Sequence, residues 1–123
     1  MLIWIAIGGA AGSVSRYLLG GMVQSTAAVR FPAGTLAVNL IGCFIIGALT
    51  QHYMNSQVSP AMRAALITGF CGGFTTFSAF SIETVGLING GEYVKAGAYI
   101  VFSVGISIAA TFAGMAVARA ATA

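Results

Sequence analysis

The chain has 123 residues, of which 59% are hydrophobic and 6% charged, with a formal net charge of +3. A soluble domain of this length needs far more charge on its exterior, so a water-soluble fold is excluded. The 5 Lys and Arg residues are scattered singly and make no basic patch, which argues against nucleic acid as a partner.

About 20 apolar residues cross a hydrocarbon core, and the sequence divides into four such stretches with little left over. The first is expected over about residues 2–23 and carries Gly8, Gly9, Gly12, Ser13 and Ser15. No Lys or Arg precedes its apolar run, which predicts a retained helix and not a cleaved signal peptide. The second, about 33–54, is entered through Pro32, a residue suited to a first helical turn. The third, about 60–88, begins near Pro60 and fades at Asn89-Gly90-Gly91, and the fourth covers about 93–119. Connections at 24–31, 55–59 and 89–92 are short. Small residues at Gly8 and Gly12, and at Gly42 and Gly47, suit close helix packing. Cys43 and Cys71 have no metal-ligand or redox spacing and read as buried small hydrophobes. The expectation is an all-α integral membrane fold, a single four-helix domain over 1–123, multi-pass in the plasma or inner membrane.

Charge bias gives such a bundle little orientation. The side holding the N-terminus, second connection and C-terminus carries Arg63 and Arg119; the opposite side carries Arg30 and Lys95, with Arg16 near the end of the first helix. This near-balance permits insertion in both directions and an antiparallel dimer of identical chains. A weakly biased protein of single orientation accounts for the same count.

The segment Gly69-Phe70-Cys71-Gly72-Gly73-Phe74-Thr75-Thr76-Phe77-Ser78-Ala79-Phe80-Ser81-Ile82-Glu83 lies mid-span yet is rich in glycine, hydroxyls and phenylalanine. Lipid cannot hydrogen-bond a freed backbone, so a helix break there survives only inside protein or along a hydrated path. A Gly-Gly pair followed by two threonines is predicted to make such a break between Gly72 and Thr76. It would leave carbonyls free for a cation and a helix N-terminus free for an anion.

Several side chains carry chemistry. Arg16 either snorkels to the interface or sits in a wet vestibule where its charge draws anions inward. Asn39 in mid-membrane either bonds another helix or donates its amide to a partly dehydrated anion. Phe77 and Phe80, at i and i+3, share a helix face with Ser81 and Thr84 nearby. Their positive ring edges could line a route for a small anion without trapping it; packing is the alternative. Glu83 is the one acidic residue inside a span, where it acts as proton carrier or gate, reaches water, or pairs with Arg16. His52 reads as interfacial. The sequence has no metal-ligand cluster, nucleophile set or phosphate loop, so catalysis is not expected.

These residues resemble the Fluc/CrcB fluoride channels along nearly the whole chain. Three elements carry the likeness: Gly8-Gly9-Ala10-Ala11-Gly12-Ser13-Val14-Ser15-Arg16-Tyr17, Pro32-Ala33-Gly34-Thr35-Leu36-Ala37-Val38-Asn39-Leu40-Ile41-Gly42, and the 69–83 segment. The resemblance implies an antiparallel, dual-topology homodimer with two fluoride pores and passive export of fluoride. It implies a structural sodium ion held by the Gly72 and Thr75 carbonyls of both chains. It also implies pore roles for Asn39, Phe77, Phe80, Ser81 and Tyr99, with Arg16 in a vestibule and Glu83 near the pore. Ser103 and Ser107 match a polar track more loosely. Two other classes compete. A proton-coupled exporter resembling the small multidrug transporters would want a carboxylate in the first helix, and none is present. A packing subunit leaves the interruption of the third span without purpose.

Overall fold

In the computed structural model, residues 1–27 and 30–122 are described, so part of the first expected connection lies outside the described residues. Among these residues the chain is all-helical. Helix α1 is Leu2–Thr26 and α2 is Ala33–Met54. Helix α3 covers residues 60–74, built from Pro60–Arg63, a wide π-helical stretch Ala64–Cys71 and Gly72–Phe74. Helix α4 is Phe77–Asn89 and α5 is Tyr93–Ala121. Four helical stretches, α3 and α4 counting as one, are long and apolar enough to cross a membrane. The chain is a multi-pass membrane protein.

The ends follow local chemistry. Ser59 accepts the Met62 backbone N–H at 3.2 Å and Pro60 fills the first turn, a conventional helix start. The first helix runs past residue 23 because Ser25 and Thr26 donate back to the Met22 and Val23 carbonyls at 2.8 and 2.9 Å. These hydroxyls satisfy acceptors that the last turn would otherwise expose.

Close backbone approach sets the packing. Helices α1 and α3 run parallel: a methyl added at Gly8 would collide with the Ala65 carbonyl, and one at Gly12 with the Phe70 carbonyl. Gly69 and Gly73 answer from α3, facing the Ile5 and Gly9 carbonyls. Helices α2 and α5 form the second parallel pair, with Gly47 against the Thr111 backbone and Gly114 against the Phe44 carbonyl. In a membrane such contact replaces the hydrophobic drive as the source of association. The two pairs join where α1 crosses α2 at Gly20 and Gly34, and where α4 lies on α5. The break between α3 and α4 sits at that junction.

Candidate functional site

The third span is interrupted later than its glycines suggest. Gly72 and Gly73 stay helical, and the two extended residues are Thr75 (φ −86°, ψ 156°) and Thr76 (φ −149°, ψ 118°). β-branched residues favour extended backbone, but the deciding group comes from α2. The Asn39 side chain pairs with the Thr76 main chain: its Nδ2 donates to the Thr76 carbonyl at 3.0 Å and its Oδ1 accepts the Thr76 N–H at 2.7 Å. Thr76 then caps α4, its hydroxyl accepting the Ala79 N–H at 3.2 Å.

Diverting these donors frees carbonyls. In a continuous helix the Thr76 N–H would serve Gly72 and the Ala79 N–H would serve Thr75; both now point elsewhere. Among the described residues, neither the Gly72 nor the Thr75 carbonyl accepts a hydrogen bond. A Cβ built on Gly72 meets nothing within 4 Å, so this face of the break is open. The Gly73 carbonyl is taken by Arg16, whose Nε donates at 3.0 Å. Arg16 thus braces the break directly, and it makes no pair with Glu83.

Glu83 has other partners. Its two oxygens accept from the Thr35 and Tyr99 hydroxyls, each at 2.7 Å, tying α4 to α2 and α5. Tyr99 is fully buried, and its ring meets Phe80 at 5.1 Å and Phe31 edge-on at 5.5 Å. Phe80 in turn meets Phe77 at 5.4 Å. Phe77 is 78% exposed, so this aromatic ladder runs from the half-buried carboxylate to the outer face of the chain.

Three cavities meet at the break. A groove of about 280 Å³ is lined by Asn39, Cys43, Thr75, Thr76, Phe77 and Phe80, with Ser103 and Ser107 opposite. Ser103 is 8% exposed and its hydroxyl has no partner, a buried polar group facing the groove. A second cavity, about 310 Å³, holds Arg16, Thr35, Thr76, Ala79 and Glu83. The third, about 340 Å³, contains Gly42, Cys43, Cys71, Gly72 and Thr75. Thr76 borders the first two and Thr75 the first and third.

Of the residues singled out from sequence, Asn39, Phe77 and Phe80 share the groove, Arg16 and Glu83 share the second cavity, and Gly72 and Thr75 share the third. Tyr99 stands behind Phe80 and lines none of them; Ser81 is exposed and outside all three. Thr35 escaped notice in the sequence, as did the weight of Thr76. Helical spacing was a usable signal, since Thr35, Asn39 and Cys43 fall at i, i+4 and i+8 on α2, and Tyr99, Ser103 and Ser107 do so on α5. The groove combines an amide, hydroxyls and two aromatic rings with a thiol and aliphatic side chains, and no full charge stands among its lining residues. Such a surface suits a small anion that must enter and leave.

Comparison with known proteins bears on this arrangement. Residues 3–115 match the family described as "CrcB-like protein, Camphor Resistance (CrcB)". A Rhizobium etli protein named "Fluoride-specific ion channel FluC" is 50% identical over 117 residues, covering 94% of each chain. Proteins of the same name from Rhizobium meliloti and Geobacter sulfurreducens are 48% and 44% identical. They span 97% and 96% of this chain, and 96% of their own lengths in both cases.

Proposed function

The chain belongs to the CrcB family, and on that premise we propose that it conducts fluoride passively across the membrane. It is a transport protein, not an enzyme. The observation that carries the reading is the groove where Asn39, Phe77, Phe80 and the unpartnered Ser103 hydroxyl meet beside the broken helix.

Fluoride holds its water tightly, so a pore must replace that shell with many short donor contacts. The Ser103 and Thr76 hydroxyls and the second Asn39 amide hydrogen are donors of modest strength, and ring edges add positive potential. Arg16, with one guanidinium nitrogen fixed on Gly73, gives the second cavity a positive wall that draws anions toward Thr76. Glu83, whose carboxylate is held by two hydroxyls, positions Tyr99 and through it Phe80.

The Gly72 and Thr75 carbonyls fit a hard monovalent cation: both are free of hydrogen bonds, and no side chain crowds Gly72. Two chains meeting at this face in opposite orientations would supply four such oxygens. A sodium ion there would supply a fixed positive charge near mid-membrane, offsetting the cost of an anion in low dielectric. Phe77, exposed in a single chain, would then border the partner. The physiological direction is outward, lowering fluoride in the cytoplasm of a cell that gains it as neutral HF.

Purified protein in liposomes loaded with fluoride tests this. With a potassium ionophore setting the potential and no pH gradient, fluoride leaves rapidly and chloride does not. An obligatory proton gradient would replace the channel with a coupled exporter, and absence of flux would leave only a packing role.

A further inference from the structure

We propose that Cys43 and Cys71 form a two-thiol site for a soft divalent cation of the mercury(II) class, and that its occupation closes the groove. Both cysteines are free and both line the same cleft of about 340 Å³, one from α2 and one from α3. Side chains from the third span pack directly onto α2 there, since a methyl on Gly42 would collide with the Thr75 methyl. Cys71 is buried and Cys43 half-buried; the cleft wall includes no carboxylate or imidazole, its hard ligands being the free Gly72 and Thr75 carbonyls and its soft ones the two sulfurs.

Cys43 links this cleft to the anion groove. Among the described residues, only Cys43 and Thr75 line both cavities. On the groove side Cys43 faces the same space as the unpartnered Ser103 hydroxyl. A heavy cation held at that shared wall narrows the space between Asn39 and Ser107.

Charge decides the class of metal. Thiolates are soft ligands and select soft cations over sodium or magnesium. On binding, each S–H bond breaks as an S–metal bond forms, two protons leave to water, and no atom changes oxidation state. Two thiolates with a divalent ion leave a neutral unit, which suits a membrane interior; a monovalent ion would leave a buried negative charge.

The closure rests on fluoride conduction, whereas the site itself does not, so the test reads them separately. Mercuric chloride is added to the full chain in micelles with a competing monothiol, then intact mass and the thiolate–mercury absorption band are read. The expected result is one mercury per chain, lost in Cys43→Ser and in Cys71→Ser because a single thiol yields to the competitor. In proteoliposomes mercury lowers wild-type fluoride flux by roughly tenfold, a barrier rise of about 1.4 kcal/mol. In each serine variant the ratio of flux with and without mercury stays near unity. Two mercury ions per chain, or one retained by either variant, would overturn the paired site. Bound mercury without loss of flux would overturn the closure. A chain silent before mercury is added counts against conduction, and mass and absorption still decide the site.

Discussion

Replacing Asn39 with alanine removes both bonds that hold Thr76 out of the helix. The Thr76 N–H and carbonyl, bonded at 2.7 and 3.0 Å, then lose their partners inside the bundle. Leaving a fully buried polar group unsatisfied costs about 1–3 kcal/mol; Thr76 is half-buried beside two cavities, so the two together cost up to about 2–6 kcal/mol. Asn39→Asp separates the two terms. Its carboxyl still accepts from the Thr76 N–H but, once ionised, cannot donate to the Thr76 carbonyl, and two acceptors then face each other. Its penalty includes one lost partner, worth up to about 1–3 kcal/mol. Equilibrium unfolding in bicelles by steric trapping gives the stabilities, and fluoride efflux from proteoliposomes gives the function. Both variants should lose flux along with stability. An Asn39→Ala protein within about 0.5 kcal/mol of wild type, the usual range for an inert surface change, would refute the idea that this amide fixes the break.

Three further outcomes follow from the same geometry. Phe80→Ile removes a ring in contact with both Phe77 and Tyr99, and aromatic pairs add about 0.5–1.5 kcal/mol each. Its flux should fall more steeply than its stability, and efflux equal to wild type would remove the ring-edge role. Gly8→Ala should destabilise the chain by about 1–3 kcal/mol through overpacking against Ala65. Gly21→Ala, where an added Cβ meets nothing within 4 Å, serves as the control; thermal unfolding that ranks them equally would contradict the α1–α3 contact. At Gly72 an added Cβ meets nothing within its own chain, so the damage from Gly72→Leu should appear in dimer mass and sodium retention. A sodium-dependent dimer identical to wild type would contradict the carbonyl assignment.

The four spans were legible because apolar runs of this length have few other homes. Helix α2 matched its expected limits, with Pro32 at its entry and Asn55 just past its last residue. The end of α1 was less legible, since Ser25 and Thr26 look like loop residues until their hydroxyls turn back onto the helix. Glycine composition located the interruption of the third span to within a few residues. Its true position at Thr75 and Thr76 depends on an amide 37 residues away, which local pattern cannot supply. The partners of Glu83 were hidden for the same reason, Thr35 and Tyr99 lying 48 and 16 residues distant. Arg16 was expected in either a vestibule or the interface; it borders a cavity and also holds the Gly73 carbonyl, a role visible only once α1 lies against α3. The small-residue spacing at Gly8 and Gly12 did foretell that contact.

The most direct measurement is the reversal potential of the purified protein in a planar bilayer, with a fluoride gradient imposed and pH varied independently on the two sides. Passive conduction beside the broken helix predicts a reversal potential that follows the fluoride gradient and ignores the pH gradient. A reversal potential that moves with pH, or current carried equally by chloride, would contradict it.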